Sequence, residues 1–176
     1  MDRHPNMRSL YKANGMISGP VTVFTQPITD ENWLHALDLT IHSHQSEFVP
    51  TVALSLAKAY IQPNGFCYDP YGIYHRQRMS RQLVGFYSFI HLPNDLSFCY
   101  LGGFFIDRQF QGQGYGKAAL IYFLDWVRCN HVECREVLLS VHPENHVAIQ
   151  LYRSQGFVKT GEWLEEEAVM RLAFSG

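Results

Sequence analysis

The chain has 176 residues, enough for one domain with a sizeable core. Apolar residues make up 47% and charged residues 17%, a composition that excludes a disordered chain. A net charge of −2, from 14 Lys+Arg against 16 Asp+Glu, lacks the basic excess of a nucleic-acid binder, and no run of 18 apolar residues offers a membrane span.

Residues 1–19 show no periodicity, contain Asn14-Gly15, and lack the apolar core of a signal peptide. They read as an N-terminal arm ahead of a single domain over 20–176. A first strand is predicted over 21–25. Thr29 then caps a helix whose first turn carries Asp30 and Glu31 and whose inner stripe is Trp33, Leu34, Leu37 and Ile41. Pro50 opens a second helix with an inner face of Val52, Leu56, Ala59 and Tyr60, ended by Pro63-Asn64-Gly65. Three strands follow, over 71–75, 82–91 and 97–106. Pro70 suits only the start or edge of the first, and Leu92-Pro93-Asn94-Asp95 turns the second into the third. The third is apolar on both faces, as a central strand is, and Gly102-Gly103 within it marks a bulge or a close approach by a ligand.

A helix over 114–128 comes next, with Leu120, Phe123, Leu124 and Val127 facing inward. A strand over 136–141, a short helix over 145–154 stopped by Gly156, and a closing hairpin of 157–163 and 168–174 complete the chain. The order is β-α-α-β-β-β-α-β-α-β-β. It predicts an α/β (α+β) fold built on one mixed sheet of six to seven strands with about four helices on its faces.

Cys67 and Cys99 fall in strand-like apolar runs and read as buried free thiols. Cys129, His131, Glu133 and Cys134 match no zinc spacing and no second ligand pair follows, so no metal is expected. Reduced thiols suit a cytoplasmic protein.

The strongest local signal is FFIDRQFQGQGYGKAAL, residues 104–120. A buried strand runs into Gly112, Gly114 and Gly116, and a helix follows at once. Alternate glycines let backbone approach an anion without Cβ collisions, and the helix start offers unpaired N–H groups and a positive dipole end. A phosphate or diphosphate is the natural guest. A nucleotide-binding Walker loop would need a hydroxyl residue after Gly116-Lys117, where Ala118 stands, and the glycine spacing is not that of a dinucleotide fold. Downstream lies LLSVHPENHVAIQLYRSQGF, residues 138–157. Asn145 and Tyr152, seven apart, share one helical face about 10 Å apart along the axis. Taken alone, the first serves as a helix cap and the second as a core aromatic.

Taken together, the two segments resemble the GNAT acetyltransferase superfamily. Gln111, Gly114 and Gly116 fill its (Gln/Arg)-x-x-Gly-x-(Gly/Ala) motif, and Asn145, Ala148, Leu151, Tyr152, Gly156 and Phe157 fill its second signature. Within that superfamily the strings SEFVP, SLAKAY, IDRQFQGQGYGKAAL, VHPEN and TGEW resemble the bacterial diamine/spermidine acetyltransferase group. The resemblance spans about 20–174. It implies the GNAT fold, acetyl-coenzyme A as co-substrate, a small-molecule amine as acceptor and, as in many relatives, a homodimer. It places the coenzyme on Gln111, Gly112, Gln113, Gly114, Tyr115, Gly116 and Lys117, and on Asn145 and Ala148. Phe104, Phe105 and Ile106 would offer backbone groups to the pantetheine and the acetyl carbonyl. Tyr152 would be the general acid for the departing thiolate.

The chemistry fits these residue types. An alkyl ammonium with a pKa near 10.4 leaves only about one molecule in 2,500 neutral at pH 7, a deficit of about 4.6 kcal/mol, so a base or a water relay to one is expected. Backbone N–H groups near Phe105 and Ile106 would stabilise the developing oxyanion. The leaving thiol, pKa about 8.5, matches a phenol of pKa about 10 as proton donor. Glu47, between the first two helices, is the first candidate base, with His42, His44 and Glu144 as alternatives. The acidic run Glu162, Glu165, Glu166 and Glu167 reads as a solvated turn that could also steer polycations, and Phe66, Tyr68, Tyr71 and Tyr74 as core packing or the wall of an amine channel. A polyamine such as spermidine or spermine is the expected acceptor. A protein or peptide amine, an aminoglycoside, or a non-catalytic acyl-coenzyme A module are the alternatives.

Overall fold

The computed structural model describes residues 21–76 and 80–174. The expected arm over 1–19 lies outside them. Among the described residues the chain forms β1 (Val23–Pro27), α1 (Trp33–Leu37), α2 (Val52–Ile61), β2 (Cys67–Arg76), β3 (Arg81–Leu92), β4 (Asp95–Ile106), α3 (Tyr115–Asn130), β5 (Glu136–Val141), α4 (His146–Ser154), β6 (Val158–Leu164) and β7 (Glu167–Ala173). Short 3-10 turns occur at Ser43–Gln45 and Pro63–Gly65. The strands make one mixed sheet in the order β1-β2-β3-β4-β5-β7-β6. β4 and β5 are parallel and the other neighbouring strands pair antiparallel.

Both faces of the sheet centre are covered, which is why β3 is buried without a break from Val84 to Phe89. On one face Val84, Tyr87, Phe89, Leu101 and Val137 meet the stripe Leu120, Phe123, Leu124 and Val127 of α3. Each of those four helix side chains contributes roughly 1.5–3 kcal/mol by leaving water. On the other face Phe86 and Phe105 pack with Ala36 of α1 and Val52 of α2. In β5 the alternation is complete: Val137, Leu139 and Val141 are buried, so Leu138 and Ser140 point to the opposite face.

The feature that shapes the site is where β4 leaves β5. The two are in register only at Phe98↔Glu136, Cys99↔Val137 and Tyr100↔Leu138. Just beyond, β4 carries an extra residue against β3, between the pairs Ser88↔Gly102 and Phe86↔Phe105. A bulge bends its strand, and Gly103 at φ +56° supplies the left-handed backbone the bend needs. A Cβ there would also come within 3.4 Å of Pro50 Cγ and Ser55 Oγ.

Three local expectations are corrected. The first helix is one short turn whose N-cap position is Asn32, not Thr29, with no side-chain cap bond: Asn32 Oδ1 accepts from Thr29 N–H at 2.8 Å, and its Nδ2 donates to the Pro27 carbonyl at 3.0 Å and to the Tyr74 hydroxyl at 3.2 Å. Its buried residue is Ala36, while Trp33, Leu34 and Leu37 are exposed. In α2, capped by Thr51, the buried residues are Val52 and Ser55, and Tyr60 is 88% exposed. The helix rotates so that a serine faces the β4 bulge. Pro70 sits inside β2, not at its start. Its carbonyl accepts from Ile28 N–H at 2.9 Å, just past the end of β1, so the N–H it lacks falls on the side where pairing stops. Cys67 is half-buried, whereas Cys99 and Cys134 are buried with their sulfurs 3.8 Å apart.

Candidate active site

The glycine run carries the chain from β4 into α3. Gly112 at φ +73° and Gly114 at φ +89° both take the left-handed conformation. Gly114 is the N-cap of the sixteen-residue α3, and the first helical bond runs from Ala118 N–H to its carbonyl at 3.1 Å. The N–H groups of Tyr115, Gly116 and Lys117 precede that bond and are left for a guest, as at any helix start. A cavity of about 200 Å³ opens against this turn. Phe104, Phe105, Ile106, Gln111, Gly112 and Gly116 form one wall, and Asn145, Ala148, Leu151 and Tyr152 of the α4 segment form the other. Gln45 and Phe48 close it from the connection between α1 and α2.

The side chains in this wall divide their duties. Gln111 braces the loop: its Nε2 donates to the Ile106 carbonyl at 2.9 Å and to Gln45 Oε1 at 3.0 Å, and Gln45 returns a bond at 3.1 Å. Gln113 is exposed and donates to the Gln109 carbonyl, Tyr115 is buried against His75 and Phe110, and Lys117 is exposed. From Tyr115 only the backbone faces the turn, because its ring anchors the helix start in the core. Asn145 caps α4, its Oδ1 accepting from Ala148 N–H at 3.2 Å, and also lines the cavity.

Tyr152 projects from α4 and is 6% exposed. Its hydroxyl has no hydrogen-bond partner among the described residues, yet the residue lines the cavity, so its O–H is available to a guest. Burial pushes its pKa well above the usual tyrosine value, and the negative charge of Glu167 pushes the same way. The phenol is therefore held protonated at neutral pH.

A second cavity of about 490 Å³ adjoins the first along β4: Gly103 lines this one and Phe104 the other. Its walls are Phe66 and Tyr68 of the β2 end, Ser88 and Ile90 of β3, Tyr100 and Gly102 of β4, and Ser140 of β5. Ser55 and Lys58 of α2 and Glu165 and Glu167 of the β6–β7 hairpin complete it. Phe66 and Tyr100 meet edge to face at 6.0 Å. Of the four aromatics expected as an amine wall, Phe66 and Tyr68 are here. Tyr71 instead stacks on Tyr87 at 5.3 Å, and Tyr74 bonds Asn32 elsewhere. The acidic run divides likewise. Glu162, Glu165 and Glu166 are exposed, whereas Glu167 is half-buried and accepts a short hydrogen bond from the Ser140 hydroxyl.

Glu47 is exposed in the turn after the first 3-10 segment and lines neither cavity, although its neighbours Phe48 and Val49 line the first and Pro50 the second. His42 and His44 stack on each other at 5.7 Å at the surface, and Glu144 is exposed with its N–H on His142 Nδ1 at 3.3 Å. Ser55, Ser88, Tyr100 and Ser140 escape a reading of the sequence. Each sits in an ordinary helix or strand, and only strand alternation in 97–106 and 136–141 hints that Tyr100 and Ser140 face away from α3.

Residues 34–157 match the family model described as Acetyltransferase (GNAT) family. The chain is similar to the spermine/spermidine N(1)-acetyltransferase of Bacillus subtilis (strain 168), 29% identical over 147 residues, which is 81% of this chain and 91% of that protein. Among solved structures it resembles a spermidine N-acetyltransferase from Vibrio cholerae in complex with CoA and spermine, with TM-score 0.66, 17% identity, and coverage of 86% of this chain and 95% of that one. It also resembles an aminoglycoside acetyltransferase in complex with coenzyme A, with TM-score 0.65, 16% identity and the same coverages.

Proposed function

We propose a polyamine as the acceptor of this chain, which belongs to the acetyltransferase (GNAT) family and is an acetyl-coenzyme A-dependent N-acetyltransferase. The observation that supports this acceptor most is the second cavity: two carboxylates, Glu165 and Glu167, outnumber the one ammonium of Lys58, and Phe66, Tyr68 and Tyr100 surround them. Carboxylates and aromatic faces both attract an elongated aliphatic cation, and a neutral acceptor gains no charge attraction from either. The similarity to a spermine/spermidine N(1)-acetyltransferase points the same way.

The first cavity fits the coenzyme. The N–H groups of Tyr115, Gly116 and Lys117 receive the diphosphate, with Gly112 and Gly114 shaping the turn. Asn145 and Ala148 border the pantetheine arm. The stretch Phe104–Ile106 keeps its pairing with β3 on one side, and on the other, where β4 has left β5, its backbone N–H groups can hold the thioester carbonyl as its charge grows. Tyr152 donates its phenolic proton to the departing sulfur as the new C–N bond forms and the C–S bond breaks. The proton shed by the amine leaves through water toward Glu47, in the segment 45–50 that borders both cavities. A direct transfer in a ternary complex follows from two adjoining sites, because holding both partners together supplies much of the barrier reduction. The cytoplasm and a homodimer complete the reading, supported by four free cysteines and by β6, exposed along its whole length at the sheet edge.

Thiol release from acetyl-coenzyme A, followed side by side with spermidine, spermine, a lysine peptide and an aminoglycoside, tests the proposal. Spermidine and spermine are expected to turn over with the highest kcat/KM. Faster turnover of the peptide or the aminoglycoside would replace the polyamine.

A further inference from the structure

The second cavity is not uniformly acidic. Glu165 is exposed on the hairpin turn at φ +54°, whereas Glu167 lies on β7, on the face opposite the buried Ala168 and Met170. Strand parity places Ser140 on the same face, since its neighbours Leu139 and Val141 are buried on the other. Their side chains meet, the Ser140 hydroxyl donating to the Glu167 carboxylate. One carboxylate is thus fixed in orientation while its neighbour in the turn is not.

Three further groups belong to the setting of this carboxylate. Tyr152 feels its charge, so the phenol at the end of the coenzyme cavity and the carboxylate at the end of the acceptor cavity are electrostatic neighbours. Ser55 and Ser88 line the same cavity, 4% and 3% exposed, and neither hydroxyl has a hydrogen-bond partner among the described residues. No side-chain polar atom among the described residues is sealed from solvent without a partner, so both hydroxyls open to the cavity, where a guest or water can use them. The two adjoining cavities therefore contain one oriented anion, one available phenol and two open hydroxyls, and they meet at the Gly102-Gly103 bulge where β4 and β5 part.

We propose that Glu167, oriented by Ser140, is the residue that seats the reacting nitrogen of the acceptor, with Ser55 and Ser88 accepting its remaining N–H bonds. This rests on the acetyl-transfer reading and deepens it. Glu167 binds the ammonium form and holds the nitrogen facing the thioester once its proton has gone to solvent. Glu165, at the exposed turn, serves a second cation farther along the chain. The assignment separates two charges that a polyamine presents together: a monoamine needs Glu167 alone, and a polyamine needs both.

The test compares spermidine with n-butylamine, using thiol release and the full-length protein. Glu167→Gln keeps the shape and the bond to Ser140 but removes the charge. It is expected to lower kcat/KM at least tenfold for both amines by a similar factor, with the KM for acetyl-coenzyme A unchanged. Glu167→Asp should restore part of the loss, and Ser140→Ala, a milder change that leaves the carboxylate, should lower both rates by a few-fold. Glu166→Gln, in the exposed turn, should leave both unchanged. Wild-type rates in Glu167→Gln overturn the proposal, as does a loss confined to spermidine, which would make Glu167 the holder of a remote cation. A loss that follows a raised acetyl-coenzyme A KM or a lowered unfolding temperature, with Ser140→Ala at wild-type rates, also overturns it. A wild-type protein that releases no thiol with any amine overturns the acetyl-transfer reading, a result distinct from an active enzyme indifferent to position 167.

Discussion

The two cavities that meet at Gly103 and Phe104 are built in different ways. The first cavity, proposed for the coenzyme, is made largely by two continuous stretches, 104–116 and 145–152, closed by residues of 41–49, and its chemistry comes largely from backbone: left-handed glycines and the open N–H groups of a helix start. The second cavity, proposed for the acceptor, is made by single side chains from α2, β2, β3, β4, β5 and the β6–β7 hairpin. A site made from backbone tolerates changes of side chain but not of conformation. A site made from side chains does the reverse. One site can therefore be common to many enzymes while the other sets which amine reacts.

The largest expected effect lies at the junction. Tyr152→Phe should lower kcat by about 100-fold or more, the usual contribution of a positioned acid, while calorimetric affinity for acetyl-coenzyme A stays at the wild-type value. An unchanged kcat under saturating substrates would remove the phenol from the mechanism. Next, Gly114→Ala tests the backbone side of the comparison. A Cβ at φ +89° costs about 1–2 kcal/mol, so a loop that relaxes away from this conformation should raise acetyl-coenzyme A KM by about 5- to 30-fold, with spermidine KM unmoved. Phe66→Ala tests the side-chain side. Losing a cation–π face worth about 0.5–1 kcal/mol at a solvent-open site should raise spermidine KM by a few-fold and leave acetyl-coenzyme A KM alone. If either variant moved both constants, the two cavities would not be separable.

The smallest effect is in pH. Burial raises the pKa of Tyr152, so the phenol keeps its proton in the folded protein above the pH at which an unfolded tyrosine loses it. Kinetically, kcat should show no alkaline fall attributable to this group up to about pH 10. Thermodynamically, the unfolded chain then binds fewer protons than the folded one, so stability is complete below about pH 10 and declines as pH rises beyond it. Tyr87, raised chiefly by burial, acts in the same direction, and the buried Cys99 thiol begins the decline nearer pH 8.5–9. Urea midpoints between pH 7 and 11 measure this. A midpoint that rises over that range would contradict the burial of these groups.

The sequence by itself determined the order of strands and helices, the glycine turn that follows a central strand, and the pairing of Asn145 with Tyr152 on one helical face. Each of these is written in neighbouring residues: alternation, helical spacing, and glycines where the backbone must turn. What it could not determine is instructive. The stripe Trp33, Leu34 and Leu37 has helical spacing, yet the helix lasts one turn and exposes it, because Asn32 ties that turn to Pro27 and Tyr74, 42 residues on. Glu167 stands in a run of acidic residues that looks uniformly solvated, and only the antiparallel pairing of β7 with β5 lays it beside Ser140. The tertiary structure alone decided the second cavity, since strands distant in sequence become neighbours only when the sheet assembles, and the bulge at Gly103 bends β4 beside the place where their side chains converge.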